Sequence, residues 1–234
     1  MSKASPDTTN QDGEEKLYLA DWRRRVADLY AEVRQLSAAD PEAAHLLWRQ
    51  AREALYRGHP SSPVPAERRP DFRALHFAYD PGLRFELTLV ADAAVPVDTP
   101  AQPGSPGDLP RFSAVALPAS TGEAPESDRI GWLDIPLPGA VRRLAVFWLR
   151  EYSGGIFVPF RDVTNGTETY GGGRYLLDTA KGADLGGDAG RGTVVIDFNF
   201  AYQPSCAFDP RWSCPLAPPE NRLDVDIRAG ERIA

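Results

Sequence analysis

From about residue 72 to its end, this chain has no stretch that sustains a helical apolar period. Apolar residues instead alternate or gather in short runs. These are LRFELTLVA (83–91), FSAVALPA (112–119), RIGWLDIPL (129–137), VRRLAVFWLR (141–150), GIFVPFRDV (155–163), GRYLLD (173–178), TVVIDFNFAY (193–202) and RLDVDIR (222–228). Turn formers separate them: Pro138-Gly139, Gly154-Gly155, Asn165-Gly166 and the GADLGGDAGRG loop. Short strands punctuated in this way read as an antiparallel sheet or a partly closed barrel. Strands and helices do not alternate, which argues against a parallel sheet. The stretch 92–110 holds five prolines and two glycines and reads as a surface loop.

The N-terminal quarter follows a different rule. Residues 1–14 are polar and read as a disordered tail. Over 15–36, Leu19, Trp22, Val26, Leu29, Tyr30 and Val33 recur at helical spacing. Asp40-Pro41-Glu42 opens a second helix, with Asp as cap, Pro at the first helical position and Glu matched to the dipole. Leu47, Ala51, Ala54 and Leu55 give it an apolar stripe, and Gly58 with Pro60 ends it. The expected organisation is a tail (1–14), a helical pair packing on the main domain (15–58) and a β-rich domain (59–234). The class is α+β, mainly β.

With 234 residues the chain has room for a substantial core without staples. Its net charge of −7 argues against a nucleic-acid binder, which needs a basic face to neutralise phosphates. No apolar run is long enough to span a membrane, and the start lacks the apolar core of a secretory signal. A cytoplasmic location is the expectation, and two cysteines there are more often thiols than a disulfide.

Several chemistries are not indicated. The chain carries no Walker-type phosphate loop, no G-x-S-x-G elbow and no H-E-x-x-H pair, and Gly171-Gly172-Gly173 is not a dinucleotide fingerprint. No motif names a cofactor. His45, His59 and His76 all lie in the first third, with His45 read as a packing or surface residue.

Residues 197–223 are the densest stretch, holding both cysteines and five of the 22 prolines. A strand over 193–202 places Val194, Ile196, Phe198, Phe200 and Tyr202 on one face, with Asp197 and Asn199 on the other. Arg174 is expected to meet Asp197 if their strands pair. The three glycines before it admit a close neighbour, either a ligand or the PSCAF segment. Cys206 and Cys214 read as packing residues, as a local disulfide, or as a reactive or metal-ligating pair. The metal reading is weak, because C-x₇-C is not knuckle spacing and other ligands must come from afar. The prolines of 215–219 stiffen a wall that presents Glu220, Asn221 and Arg222.

FRDVTNGTETYGGGRYL, DFNFAYQPSCAF and CPLAPPENRL with a terminal AGE together resemble the domain of unknown function 1684 family. The matching positions include Phe160, Asp162, Thr164, Tyr170, Gly173, Arg174, Asp197, Asn199, Tyr202, Cys206, Cys214, Pro218 and Asn221. The likeness extends over roughly 15–232, with SSPVP and FAYDPGLRF in the earlier half. The span 92–127 departs from the family's pattern. The resemblance implies a bacterial or archaeal protein and carries no activity with it.

Three functions compete. In the first, a small anionic molecule binds a polar pocket formed by 160–174 and 197–222. Arg161, Arg174 and Arg222 then supply charge; Tyr170, Asn199, Tyr202 and Asn221 hydrogen-bond the ligand; Asp197 or Glu220 serves as acid or base. The second is a non-catalytic interaction module, and the third a metal or redox site at Cys206 and Cys214. Oligomeric state is not legible.

Overall fold

The computed structural model describes residues 8–92, 113–122, 126–150, 152 and 154–233. Residues 1–7 of the expected tail, and nearly all of the expected 92–110 loop, lie outside them. Helix α1 spans Thr8–Ser37 and so begins well upstream of the start expected at residue 15. Helix α2 spans Pro41–Gly58. Asp40 caps it as expected, its carboxylate accepting from the Ala43 amide at 2.9 Å.

On α1 the apolar spacing turns Tyr30 and Val33 fully inward, while Leu19 is exposed. On α2 the buried stripe is Ala44, His45, Trp48 and Tyr56, rotated away from the expected Leu47, Ala51, Ala54 and Leu55. The rotation admits His45 and Arg52 to the interior, which apolar periodicity counts as surface residues.

Among the described residues nine strands follow: β1 (Arg84–Thr88), β2 (Val90–Ala91), β3 (Ser113–Ala116), β4 (Glu126–Leu137), β5 (Ala140–Leu149), β6 (Gly155–Phe160), β7 (Arg174–Asp178), β8 (Gly187–Asp188) and β9 (Thr193–Asp197). All pairings between them are antiparallel, as read from the sequence. They form two open sheets and no barrel. One has the order β1-β9-β8; the other has the order β2-β4-β5-β6-β7, with β3 also on β4. The run 83–91 therefore divides at Leu89, β1 joining the small sheet and β2 the large one.

Two further runs differ from expectation. The strand at 193 stops at Asp197, because the Asp197 carboxylate accepts from the Asn199 amide at 2.9 Å and turns the chain into a 3-10 turn. Phe198 and Phe200 then enter two different cores rather than sharing a face. The run 222–228 forms no strand. Leu223 N donates to Arg161 O, and at Ile227 side chains take the place of a ladder: the Asp162 carboxylate accepts from Ile227 N, and the Arg174 guanidinium donates to Ile227 O.

The centre of the large sheet is buried on both faces. Leu144 and Val146 of β5 point into a core shared with Ile196, Leu223 and Ile227. Ala145 and Phe147, pointing the other way, pack with Tyr30, Val33, Ala44 and Trp48 of the helices. A strand covered on both sides reads as an unbroken apolar run, which is what LAVF at 144–147 is.

Asn221 closes a gap in this sheet. β5 and β6 pair only over Phe147–Leu149 and then diverge. In the opening, the Asn221 amide accepts from Ala145 N at 2.8 Å and donates to Ala145 O at 2.9 Å and Pro159 O at 2.7 Å. An Asn221→Ala variant leaves these buried groups unpaired. It should lose about 2–4 kcal/mol of stability, read as a lower midpoint in urea unfolding.

Candidate functional site

Most residues singled out in the sequence are consumed by the fold. Arg174 is fully buried and does not meet Asp197. β7 pairs with β6, not β9, so the two side chains take separate partners. Arg174 lies 3.3 Å from Asp162 and donates to Ile227 O at 2.8 Å, Glu231 O at 3.3 Å and the Ala229 carbonyl. Asp197 pairs with Arg84 at 3.1 Å. Asn199 holds Asp80 through both its N–H and its C=O. Arg161 donates to Gly171 O at 2.6 Å. The exposed Arg222 uses its backbone to bridge Arg161, and Glu220 lies 4.0 Å from Arg129. The two segments expected to frame a pocket are thus laced to each other, with Arg161 N donating to Asn221 O and Leu223 N to Arg161 O.

Gly173 explains part of the glycine run. Its φ is +96°, and a Cβ there would come within 2.5 Å of the Phe160 carbonyl. The close neighbour of Gly173 is β6 rather than the PSCAF segment.

Sequence reasoning missed a second buried polar cluster. Arg52 of α2 makes a bidentate pair with Glu231, at 2.5 and 3.1 Å, and its guanidinium lies 4.3 Å from the Tyr56 ring and 4.7 Å from the Tyr202 ring. Glu231 also accepts from Gln203 N at 2.7 Å. Burial pushes the Glu231 carboxyl up, but Arg52, His76 and the Gln203 amide outweigh it and hold it below the usual range. At Asp162 the balance is reversed. Burial outweighs Arg174 and raises its carboxyl.

Beside this pair, α1, β7 and the 202–205 segment enclose a cavity of about 70 Å³. Tyr30, Tyr56, Tyr175, Tyr202, Arg52 and Asp178 line it. Burial raises all four phenols above their ordinary range, so they are neutral donors and acceptors. Tyr175 Oη donates to Pro215 O at 2.5 Å, and Tyr30 Oη accepts from Trp48 Nε1 at 3.1 Å. Asp178, at the end of β7, is 2 % exposed, and its Oδ1 has no hydrogen-bond partner among the described residues. Its Oδ2 lies 3.5 Å from Lys181, a largely exposed side chain whose hold is weak.

A second cavity of about 280 Å³ adjoins the first, sharing Trp22, Lys181 and Ser205 and adding Trp212 and Cys214. Together they form a cleft between α1 and the 202–214 segment. A groove of about 520 Å³ between α1 and α2 is larger. Its buried polar group, His59, already bonds Asp21, so the smaller cleft is the better candidate.

Cys206 and Cys214 flank this cleft as free thiols. Cys206 N donates to Cys214 Sγ at 3.3 Å, and Tyr170 Oη donates to Cys206 Sγ at 3.6 Å. The neighbouring Cys214 thiol, more than Tyr170 and Ser120, outweighs burial and brings Cys206 down to about 6. Cys214 is raised in turn. Among the described residues no cluster of three or more His, Cys, Asp or Glu is arranged to hold a metal ion. No helix there is long and apolar enough to cross a membrane.

Two helices laid on open antiparallel sheets, with a polar cleft beneath the first helix, define the class of protein. The model of a protein family of unknown function, DUF1684, matches residues 71–232, and the chain belongs to that family. It is also similar to an uncharacterised protein from gene locus rrnAC0354 of Haloarcula marismortui, known from a solution NMR structure. Identity is 32 % over 84 % of this chain and 96 % of that one, with a TM-score of 0.55. No curated protein matches the chain.

His45 yields a test of the buried cluster. It is 2 % exposed, and its Nε2 is without a partner among the described residues. Burial, then His76 and Arg49, lower it from 6.5 to about 4. The unfolded chain therefore binds a proton that the native chain refuses, and stability falls as pH drops from 6.5 toward 4. Between pH 7.5 and 5 the loss from this group is roughly 2 kcal/mol. Urea unfolding at both pH values should show that slope in the parent and a shallower one in His45→Phe.

Proposed function

We propose that this protein binds a small molecule in the cleft between α1 and the 202–214 segment, and that the ligand presents a hydrogen-bond donor to Asp178. The observation that carries this reading is Asp178 Oδ1, buried beside a polar cavity without a partner among the described residues. A desolvated carboxylate oxygen with no donor is costly, and a ligand amine, amide or hydroxyl relieves that cost. The neutral phenols add hydrogen bonds, and Trp22 and Trp212 offer apolar surface to the body of the ligand.

The anionic ligand expected from Arg161, Arg174 and Arg222 has less support. Arg161 and Arg174 are spent on carbonyls and Asp162, and Arg222 does not line the cleft. An interaction module is the second reading, favoured by Leu17, Tyr18 and Leu19 exposed on α1. Free thiols suit a cytoplasmic setting, and the acidic chain does not suit a nucleic-acid partner.

Benzylamine and benzoate make matched probes, alike in body and opposite in head group. In amide chemical-shift mapping, benzylamine should perturb Asp178, Lys181 and Ser205, and benzoate should not. Asp178→Asn should weaken benzylamine by about tenfold. Binding of neither probe, or shifts confined to other surfaces, would sink the reading.

A further inference from the structure

We infer that Cys206 and Cys214 form a peroxide-reactive dithiol, with Cys206 as the attacking sulfur and Cys214 as the resolving one. Eight residues apart in sequence, the two thiols are brought together by the turn at Ser205–Ala207 and the return of the chain through Pro210. The Cys206 amide reaches Cys214 Sγ at 3.3 Å, and the Cys214 amide is anchored on Ser120 Oγ at 3.0 Å. The pair is thus held from both sides by the backbone.

The two sulfurs are not equivalent. Cys206 is half-buried and receives a hydrogen bond from the Tyr170 hydroxyl at 3.6 Å, which stabilises a thiolate. Cys214 is buried, and the neighbouring Cys206 and that burial push its thiol up, so it keeps its proton. A half-buried, solvent-reachable thiolate next to a protonated partner is the arrangement of a redox-active pair, whereas two packing cysteines need no such asymmetry. Tyr170 is a positioning residue here, because it orients and stabilises the thiolate without entering the bonds that change.

The chemistry balances with hydrogen peroxide as oxidant. The Cys206 thiolate attacks one peroxide oxygen, the O–O bond breaks, and the second oxygen leaves as hydroxide and takes up a proton. Cys206 is then a sulfenic acid. The Cys214 sulfur attacks the Cys206 sulfur, the S–O bond breaks, and the hydroxyl departs as water with the Cys214 proton. Two thiols have lost two hydrogens, and one peroxide has become two waters. This step is independent of any ligand in the cleft.

The test uses the full reduced chain, hydrogen peroxide and mass spectrometry without reductant. Trypsin cuts after Arg211, between the two cysteines. The oxidised chain should therefore yield peptides 192–211 and 212–222 joined, two hydrogens lighter than their sum, and separated again by dithiothreitol. In Cys214→Ser, dimedone should trap a sulfenic acid at Cys206. In Cys206→Ser, the reaction with peroxide should fall by roughly tenfold or more. Tyr170→Phe should slow the reaction at neutral pH and move its pH profile upward, an effect that a merely structural role would not produce. The wild-type measurement decides even if a variant fails to fold. Unchanged mass, disulfides only between chains, or sulfinic acid at Cys206 beside an unreacted Cys214 would each overturn the inference.

Discussion

The Arg174 guanidinium sits in the interior with no exposure, and the last part of the chain is organised around it. Carbonyls of Ile227, Ala229 and Glu231 converge on it, and Asp162 supplies the countercharge. A buried arginine is tolerated only when its donors are nearly all used, and here just Nε lacks a partner among the described residues. The cost of desolvation is thereby converted into a constraint. Phe77 N reaches only Gly230 O in the 227–231 segment, so its other carbonyls need these donors, and the donors need those carbonyls. Asp162 completes the circuit by accepting from Ile227 N at 2.7 Å and from Thr164 Oγ1 at 2.9 Å.

A second arginine depends on the first. By holding the Glu231 backbone, Arg174 places the Glu231 side chain where Arg52 of α2 can pair with it. The helical pair is thus tied to the sheet by a charge pair as well as by the apolar contacts of Tyr30, Val33 and Trp48. The two pairs titrate in opposite senses. Glu231 meets a bidentate guanidinium, and its carboxyl is held low; Asp162 faces a single longer contact, and burial prevails.

The cleft follows from this arrangement. Asp197, Asn199 and Asn221, which the sequence singled out, make their hydrogen bonds within the fold. Asp178 differs because it ends β7 just where α1 passes over, and no described residue reaches its Oδ1. The cysteine pair borders the same region through Cys214.

The residue pattern by itself determined the helical pair, the antiparallel strands and their turns, because apolar period and turn chemistry are local properties. It also marked 197–223 as unusual through its prolines and cysteines. It did not determine where each polar group finds its partner. Arg174 with Asp162 rather than Asp197, and Arg52 with Glu231 across 179 residues, depend on which strands become neighbours. Local pattern specifies elements, but hydrogen-bond satisfaction is a property of the closed structure. Only the tertiary structure therefore decided which carboxylate lines a cavity with an oxygen that no described residue reaches.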